Sequence, residues 1–340
     1  LGLIFSGMSL VGGCYDSGLM VLGFAELALD QTGYEIETLP VYITASFVRG
    51  NDVYFSNKDG ELFKADDTDL IKPWQSLGKP FNSGARLIFV SSGGAIFTSQ
   101  DNNVTFRSDD MGKTWNAILP VPVWRMTEDD QGNLYAGNYC KTEGIDATVY
   151  KSIDGGVSWA DVYHQRENQH IHTIRWDDRS KRLYIAFGDT GRRGQAYSDN
   201  YGETFKIIAQ GENEGNTDVA FTRDYVIWAS DDQSGRVFRV SRETADSETL
   251  MGYSQFMWFS VAKDKQIYVG TMTSKEEGGE RACLLASNDQ GTTWQKLLET
   301  DLSTGPYSQG FFAESRELSN NGWLYCSDMN KSYRIRRISN

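Results

Sequence analysis

Ser108-Asp109-Asp110-Met111-Gly112-Lys113-Thr114-Trp115 is one of four copies of a single octapeptide pattern. The others run Ser152-Ile-Asp154-Gly-Gly156-Val-Ser158-Trp159, Ser198-Asp-Asn200-Tyr-Gly202-Glu-Thr204-Phe205 and Ser287-Asn-Asp289-Gln-Gly291-Thr-Thr293-Trp294. Their opening serines stand 44, 46 and 89 residues apart, so the last gap is two periods. A fixed period of this size marks a propeller or a solenoid, in which each repeat covers its apolar faces with its neighbours.

Each octapeptide reads as a hairpin tip. The short Ser and Asp side chains accept backbone N–H bonds, and the glycine takes a positive φ at no steric cost. The closing Trp or Phe then buries beside the next strand. Asn200 departs from aspartate but keeps an acceptor oxygen, so that turn is expected to survive. The pattern resembles the Asp-box, or BNR repeat, of sialidases and related β-propellers. That resemblance implies an all-β scaffold whose boxes sit at outer turns, away from any active site, so their acidic residues are not candidates for catalysis.

Between the boxes, aromatic and β-branched runs follow polar turns at Asn51–Ser56, Gly132–Gly137, Arg182–Gly188, Tyr225–Ser230, Gln266–Gly270 and Trp323–Ser327, with a further copy from Leu87 to Phe97. These read as second strands of successive four-stranded antiparallel blades, seven in all. A segment from Gly18 to Asp30 is either an eighth blade or an extra hairpin on the closing one. The carboxy-terminal pieces around Phe311, Leu324 and Ile335 lack an outer fourth strand, which an amino-terminal strand supplies when a ring is closed. The expectation is one propeller over residues 1–340, because the continuous repeats leave no composition shift at which to divide it. Thirty-four glycines against 6 prolines, with 13% aromatics, suit repeated strands and tight turns without proline-rich linkers.

The net charge of −13 disfavours a protein that tracks nucleic-acid backbone, while leaving room for a local basic pocket. Cys14, Cys140, Cys283 and Cys326 are widely spaced, form no CxxC pair, and read as small buried side chains. The chain opens on Leu1 in place of Met, and residues 1–13 are apolar but too short to span a bilayer and carry no basic leader. This stretch points to export, and the resemblance implies a protein outside the cytoplasm; a secreted, periplasmic or surface-associated protein with no membrane span is expected.

All three histidines, His164, His170 and His172, fall in one short stretch. His170 and His172 share a face by the two-residue strand period, and that face looks into the channel if the strand is innermost. Aligning Asp129-Asp130, Asp177-Asp178 and Asp264 puts Trp124, His172 and Trp258 in one register. Indoles near the axis offer flat apolar surface to a sugar ring, or pack between blades. The second strands end at Asn138-Tyr139, Asp189 and Asp231-Asp232, on a rim that also receives Arg192 and Arg193. His at i and i+2 with Asp189 is a possible zinc set, but no HExxH spacing or thiolate partner accompanies it, so no metal and no cofactor is assigned.

Sialidases hold the substrate carboxylate with three arginines and use a Tyr/Glu nucleophile with an aspartic acid. Here the early Phe-Arg-Ile-Pro motif is absent, Phe47-Val-Arg49-Gly50 does not replace it, and Tyr253 or Tyr307 with Glu314 leaves that pattern incomplete. The chain is also similar in scaffold to seven-bladed polysaccharide lyases, including those that cut ulvan, which act on uronic acids with His, Tyr and Arg. Set beside that resemblance, His170 or His172 is the candidate base, Tyr139 the acid and Arg125 or Arg192 the carboxylate partner, while the shared register makes Trp124 and Trp258, and the common rim Asp189 and Arg193, the candidate substrate contacts with Arg125. A polysaccharide or oligosaccharide ligand is expected, cleaved by a lyase or glycosidase. The alternative is a non-enzymatic propeller that binds a glycan or a surface or virion protein, as an adhesin or phage receptor-binding module.

Overall fold

The computed structural model describes residues 29–338, except 69, 71–72, 101–103, 140–145, 167, 190, 232–234, 253–255, 274–280, 301–308 and 312–314. Every regular element among them is a β-strand. The strands form seven separate antiparallel sheets, the blades of a seven-bladed propeller. Blades one to six have innermost strands Ile43–Arg49, Leu87–Val90, Val123–Glu128, His170–Asp177, Asn216–Phe221 and Phe256–Lys263, each followed by three strands in sequence order.

Blade seven mixes the two ends of the chain. Tyr34–Thr38 pairs with Ser332–Arg337, which pairs with Leu324–Ser327. Inside them, Ser315 and Ser319 donate backbone N–H to the carbonyls of Tyr325 and Trp323 at 3.0 Å each, so this segment takes the axial place. The piece around Phe311 does not open that blade as the sequence led us to expect. Gln309–Gly310 pairs instead with Met272 and Thr273 of blade six. The strand-like run 18–23 lies outside the described residues, as do Cys14, Cys140, Asp232, Tyr253, Tyr307 and Glu314; Cys283 and Cys326 are buried thiols.

The four octapeptides join third to fourth strands and share one hydrogen-bond scheme. In each, the serine Oγ accepts from the glycine N–H at 2.8–2.9 Å. The residue-three oxygen accepts the backbone N–H four residues on, again at 2.8–2.9 Å. The glycines lie at φ 79 to 92. A Cβ on Gly112 would stand 1.9 Å from the Leu77 carbonyl oxygen of blade one, so this glycine is fixed by a neighbouring backbone as well as by its own φ.

Apolar clusters lie between adjacent blades rather than in one central core. Ile227, Val237, Ile267 and Leu285, all buried, join blades five and six, and Phe259, Leu284, Leu324 and Ile335 join six and seven. Serines at the outer rim of the pore bind each next blade: Ser56 Oγ accepts from Ala85 N at 3.1 Å, and Ser99 Oγ from Val123 N at 3.0 Å. The axis is thereby left to polar and aromatic side chains.

Candidate functional site

A β-bulge interrupts the innermost ladder at the same place in five blades. The register shifts around Thr44, Trp124, His172, Thr217 and Trp258. A bulge adds one unpaired residue and re-aims its side chain. The alignment that placed Trp124, His172 and Trp258 in one register therefore corresponds to a shared backbone device. Arg86 holds the matching position in blade two, next to Ala85, whose N–H is bound by a serine as that of Val123 is.

Trp124 and Trp258 meet edge to face with centroids 6.0 Å apart, and both line two cavities. The larger, about 680 Å³, opens toward the ends of the innermost strands. The smaller, about 260 Å³, lies toward their beginnings, among Arg125, Tyr139, His172, Asp189, Thr217, Asp231 and Met272.

The larger chamber gathers five arginines among carboxylates. Arg49, Arg86, Arg125, Arg175, Arg316 and Lys263 line it with Glu128, Asp129, Asp130, Asp178 and Glu317. Arg175 is buried and donates to the carbonyls of Val219 at 2.9 Å, Ser260 at 3.1 Å and Arg316 at 2.8 Å. It ties blades four, five, six and seven around the axis. Arg316 pairs with the buried Asp218. Burial and then the like charges of Arg125 and Arg175 push its guanidinium well below the ordinary arginine range. Arg49 donates to Val90 O at 2.6 Å and to Glu128 at 3.2 Å, while exposed Arg86 lies 5.5 Å over the Trp124 ring. Arginines gathered in this way offer charge-assisted donors to an anionic guest.

The smaller chamber is organised by the histidines. Their Nε2 atoms stand 2.9 Å apart. His170 Nε2 lies 2.8 Å from Asp189 Oδ2, and His172 Nε2 lies 3.2 Å from Asp189 Oδ1. His172 Nδ1 lies 3.0 Å from the Asn216 carbonyl and 3.3 Å from Asp231. Burial works against a charged His172, but the carboxylates of Asp231 and Asp189 outweigh it and raise its pKa above the ordinary value. Burial likewise opposes ionisation of Asp189, yet bonds from His170 and then His172 hold its carboxyl well below the carboxylate range. Asp189 has φ 75, an unusual backbone state that aims its side chain at both rings.

Of the residues singled out in the sequence, Tyr139, His172, Asp189, Arg125, Trp124 and Trp258 line one chamber. Tyr139 lies flat on Trp124 at 3.3 Å between centroids and at 4.0 Å from His170. One indole face of Trp124 is thus covered by protein. His170 is fully buried behind them. Arg192 is exposed and does not line the chamber; its carbonyl accepts from Asn168 and Gln210. Arg193 donates to the Asp231 carbonyl at 3.2 Å. His164 sits on an outer strand and bonds Thr148 at 3.1 Å, so two of the three histidines meet rather than three. Arg86, Arg175, Arg316 and Asp218 were missed. Their signal was a charged residue within or beside the innermost segment of a blade.

No family model and no curated protein matches the chain. Solved structures do. YCF48 bound to D1 peptide aligns with TM-score 0.61 and 14% identity over 92% of this chain and 97% of that one. The extracellular domain of the putative one-component system BT4673 from B. thetaiotaomicron aligns with TM-score 0.64 and 11% identity, over 92% of this chain and 40% of that one. The Niastella koreensis GH74 enzyme aligns with TM-score 0.57 and 16% identity, over 78% of this chain and 46% of that one. At such identities the likeness is one of fold, a seven-bladed β-propeller on which quite different sites are built.

Proposed function

We propose that this propeller is a carbohydrate-active protein that captures an acidic polysaccharide by its carboxylates in the larger axial chamber. The observation that carries the reading is the gathering of five arginines around about 680 Å³ in a chain of net charge −13. In a chain that is acidic overall, arginines gathered in the pore favour a local anionic group over a polyanion wrapped over the outside. Trp258 and Phe47 add apolar wall beside the arginines, as a sugar ring requires. We also read the four octapeptides as Asp-box repeats of a sialidase-like scaffold, supported by their common bonding, and the setting as secreted or surface-exposed.

Capture is favoured over cleavage because the histidine best placed as a base, His172, is held toward its cationic form by two carboxylates. One observation keeps cleavage as the second reading: Tyr139, His172 and Arg125 face the same smaller chamber. A peptide carboxylate offers the larger chamber the same charge, and one propeller of this fold has been solved with a peptide bound.

The test is titration of tryptophan fluorescence with oligogalacturonate, oligoglucuronate and alginate fragments, beside neutral glucans and a peptide with a free carboxy terminus. Acidic fragments should bind and weaken with salt. Arg86→Gln and Arg49→Gln should each lower affinity about tenfold, the loss of one charge-assisted contact. Equal binding of neutral glucans, or a response to the peptide alone, would reject the glycan reading. Appearance of the unsaturated product's ultraviolet band would move the protein from binder to lyase.

A further inference from the structure

We propose that His170, His172 and Asp189 form a binding site for a divalent transition-metal ion of the zinc class, with an open coordination position facing the smaller chamber. The two Nε2 atoms and the Asp189 carboxylate oxygens are separated by 2.9, 2.8 and 3.2 Å. Ligands about 2.0–2.2 Å from a tetrahedral ion stand only slightly farther apart than this, so small movements admit the metal. Two imidazoles and one carboxylate are a three-ligand set of the kind that leaves zinc a fourth, exchangeable position. The chamber it would face is lined by Arg125, Thr217, Asp231 and Trp258 among others.

The surroundings are those of a site built to hold such ligands in place. The Asn216 carbonyl, 3.0 Å from His172 Nδ1, accepts the proton on that nitrogen and turns the Nε2 lone pair toward Asp189 and His170. Asp231 backs the same nitrogen at 3.3 Å. Tyr139 stacks on His170 at 4.0 Å and fixes its plane. A Cβ at Gly188 would come within 2.1 Å of His172 Cε1, so the backbone beside Asp189 has been left bare for the imidazole. With both imidazoles neutral the set carries one negative charge and suits a dication, which takes the place of the proton shared among the three groups. The inference concerns the smaller chamber and does not depend on the glycan reading.

The experiment uses tag-free protein stripped with a chelator and then titrated with Zn²⁺ or Co²⁺. One equivalent per chain is expected by elemental analysis, with a higher melting temperature and, for Co²⁺, visible absorption of a four- or five-coordinate centre. The chain has only three histidines, so Co²⁺ should displace the ring signals of His170 and His172 in the proton spectrum and leave those of His164 in place. Asp189→Asn, a change at a half-exposed side chain, should bind at least about tenfold more weakly. Failure of the stripped wild-type protein to take up stoichiometric metal, or uptake that leaves both axial ring signals unmoved, overturns the proposal. So does unchanged affinity in Asp189→Asn.

Discussion

Asp110 and Asn200 occupy the same place in two octapeptides, one as a carboxylate and one as a carboxamide, and each accepts the backbone N–H four residues on at 2.9 Å. The turn therefore needs the oxygen rather than the charge. The charge adds a pH dependence. The Thr114 hydroxyl, and then its backbone N–H, hold the Asp110 carboxyl down to about 2. A group depressed in this way contributes stability that is present in full above its unfolded value of about 3.9 and is lost as pH falls through about 2. Asp110→Asn should leave the turn formed, lower the melting temperature slightly at neutral pH, and leave it equal to wild type near pH 2. Thermal scans at both pH values check this, and an equal deficit at the two would show that geometry and not ionisation is what Asp110 supplies.

At the scale of the element, the same turns show what a sequence makes legible. Ser, Asp and Gly act through atoms within four residues, so the octapeptides announced hairpins before any tertiary contact was known, and a phase of 44 to 46 residues carried the blade order. The bulge at Trp124, His172 and Trp258 was visible as a register because neighbouring aspartates repeat in step with it. Convergence of Arg86, Arg175 and Arg316 was not visible, since it depends on ring closure across 230 residues of chain. Arg192 was drawn into the site by closeness in sequence, whereas its rim loop turns it to solvent. Two glycines separate local from neighbouring constraint. Gly132 and Gly112 have φ 81 and 79, but a Cβ on Gly132 meets nothing within 4 Å while one on Gly112 strikes the Leu77 carbonyl. Gly132→Ala should cost about 1 kcal/mol through φ alone, and Gly112→Ala about 3 kcal/mol because blade one must also shift. Equal costs in urea titrations would show that the box glycine answers only to its own backbone.

For the molecule as a whole, the seam between first and last strands decides whether seven blades remain a ring. Glu35 faces Arg336 and Glu37 faces Arg334 across it, with the arginines 2.6 Å from their partners' carboxylates. Both guanidinium groups also lie over Trp323, 4.2 and 4.3 Å from the ring centroid. The same amino-terminal stretch reaches sideways into blade six, where Asp30 N donates to Lys296 O at 2.9 Å and Tyr34 OH to Asn288 at 2.9 Å. One segment thus supplies the outer strand of blade seven and a tie to its neighbour. The ion pairs are partly exposed, so each contributes only about 0.2–1 kcal/mol, and most of the hold comes from the backbone ladder and from Tyr34 buried at the edge of the six–seven cluster. Double reversal of Glu35 and Glu37 to Arg should therefore loosen the seam modestly, and adding Arg334→Glu with Arg336→Glu should recover the charge pairing but not the contacts with Trp323. Removing residues 1–38 should do far more, leaving the edge of Ser332–Arg337 unpaired. Hydrogen exchange would then rise first in blade seven and in the outer strand of blade six, and the exposed edge should drive self-association on gel filtration. Protection lost evenly over all seven blades would instead mean that the ring opens as one cooperative unit, with no special role for its seam.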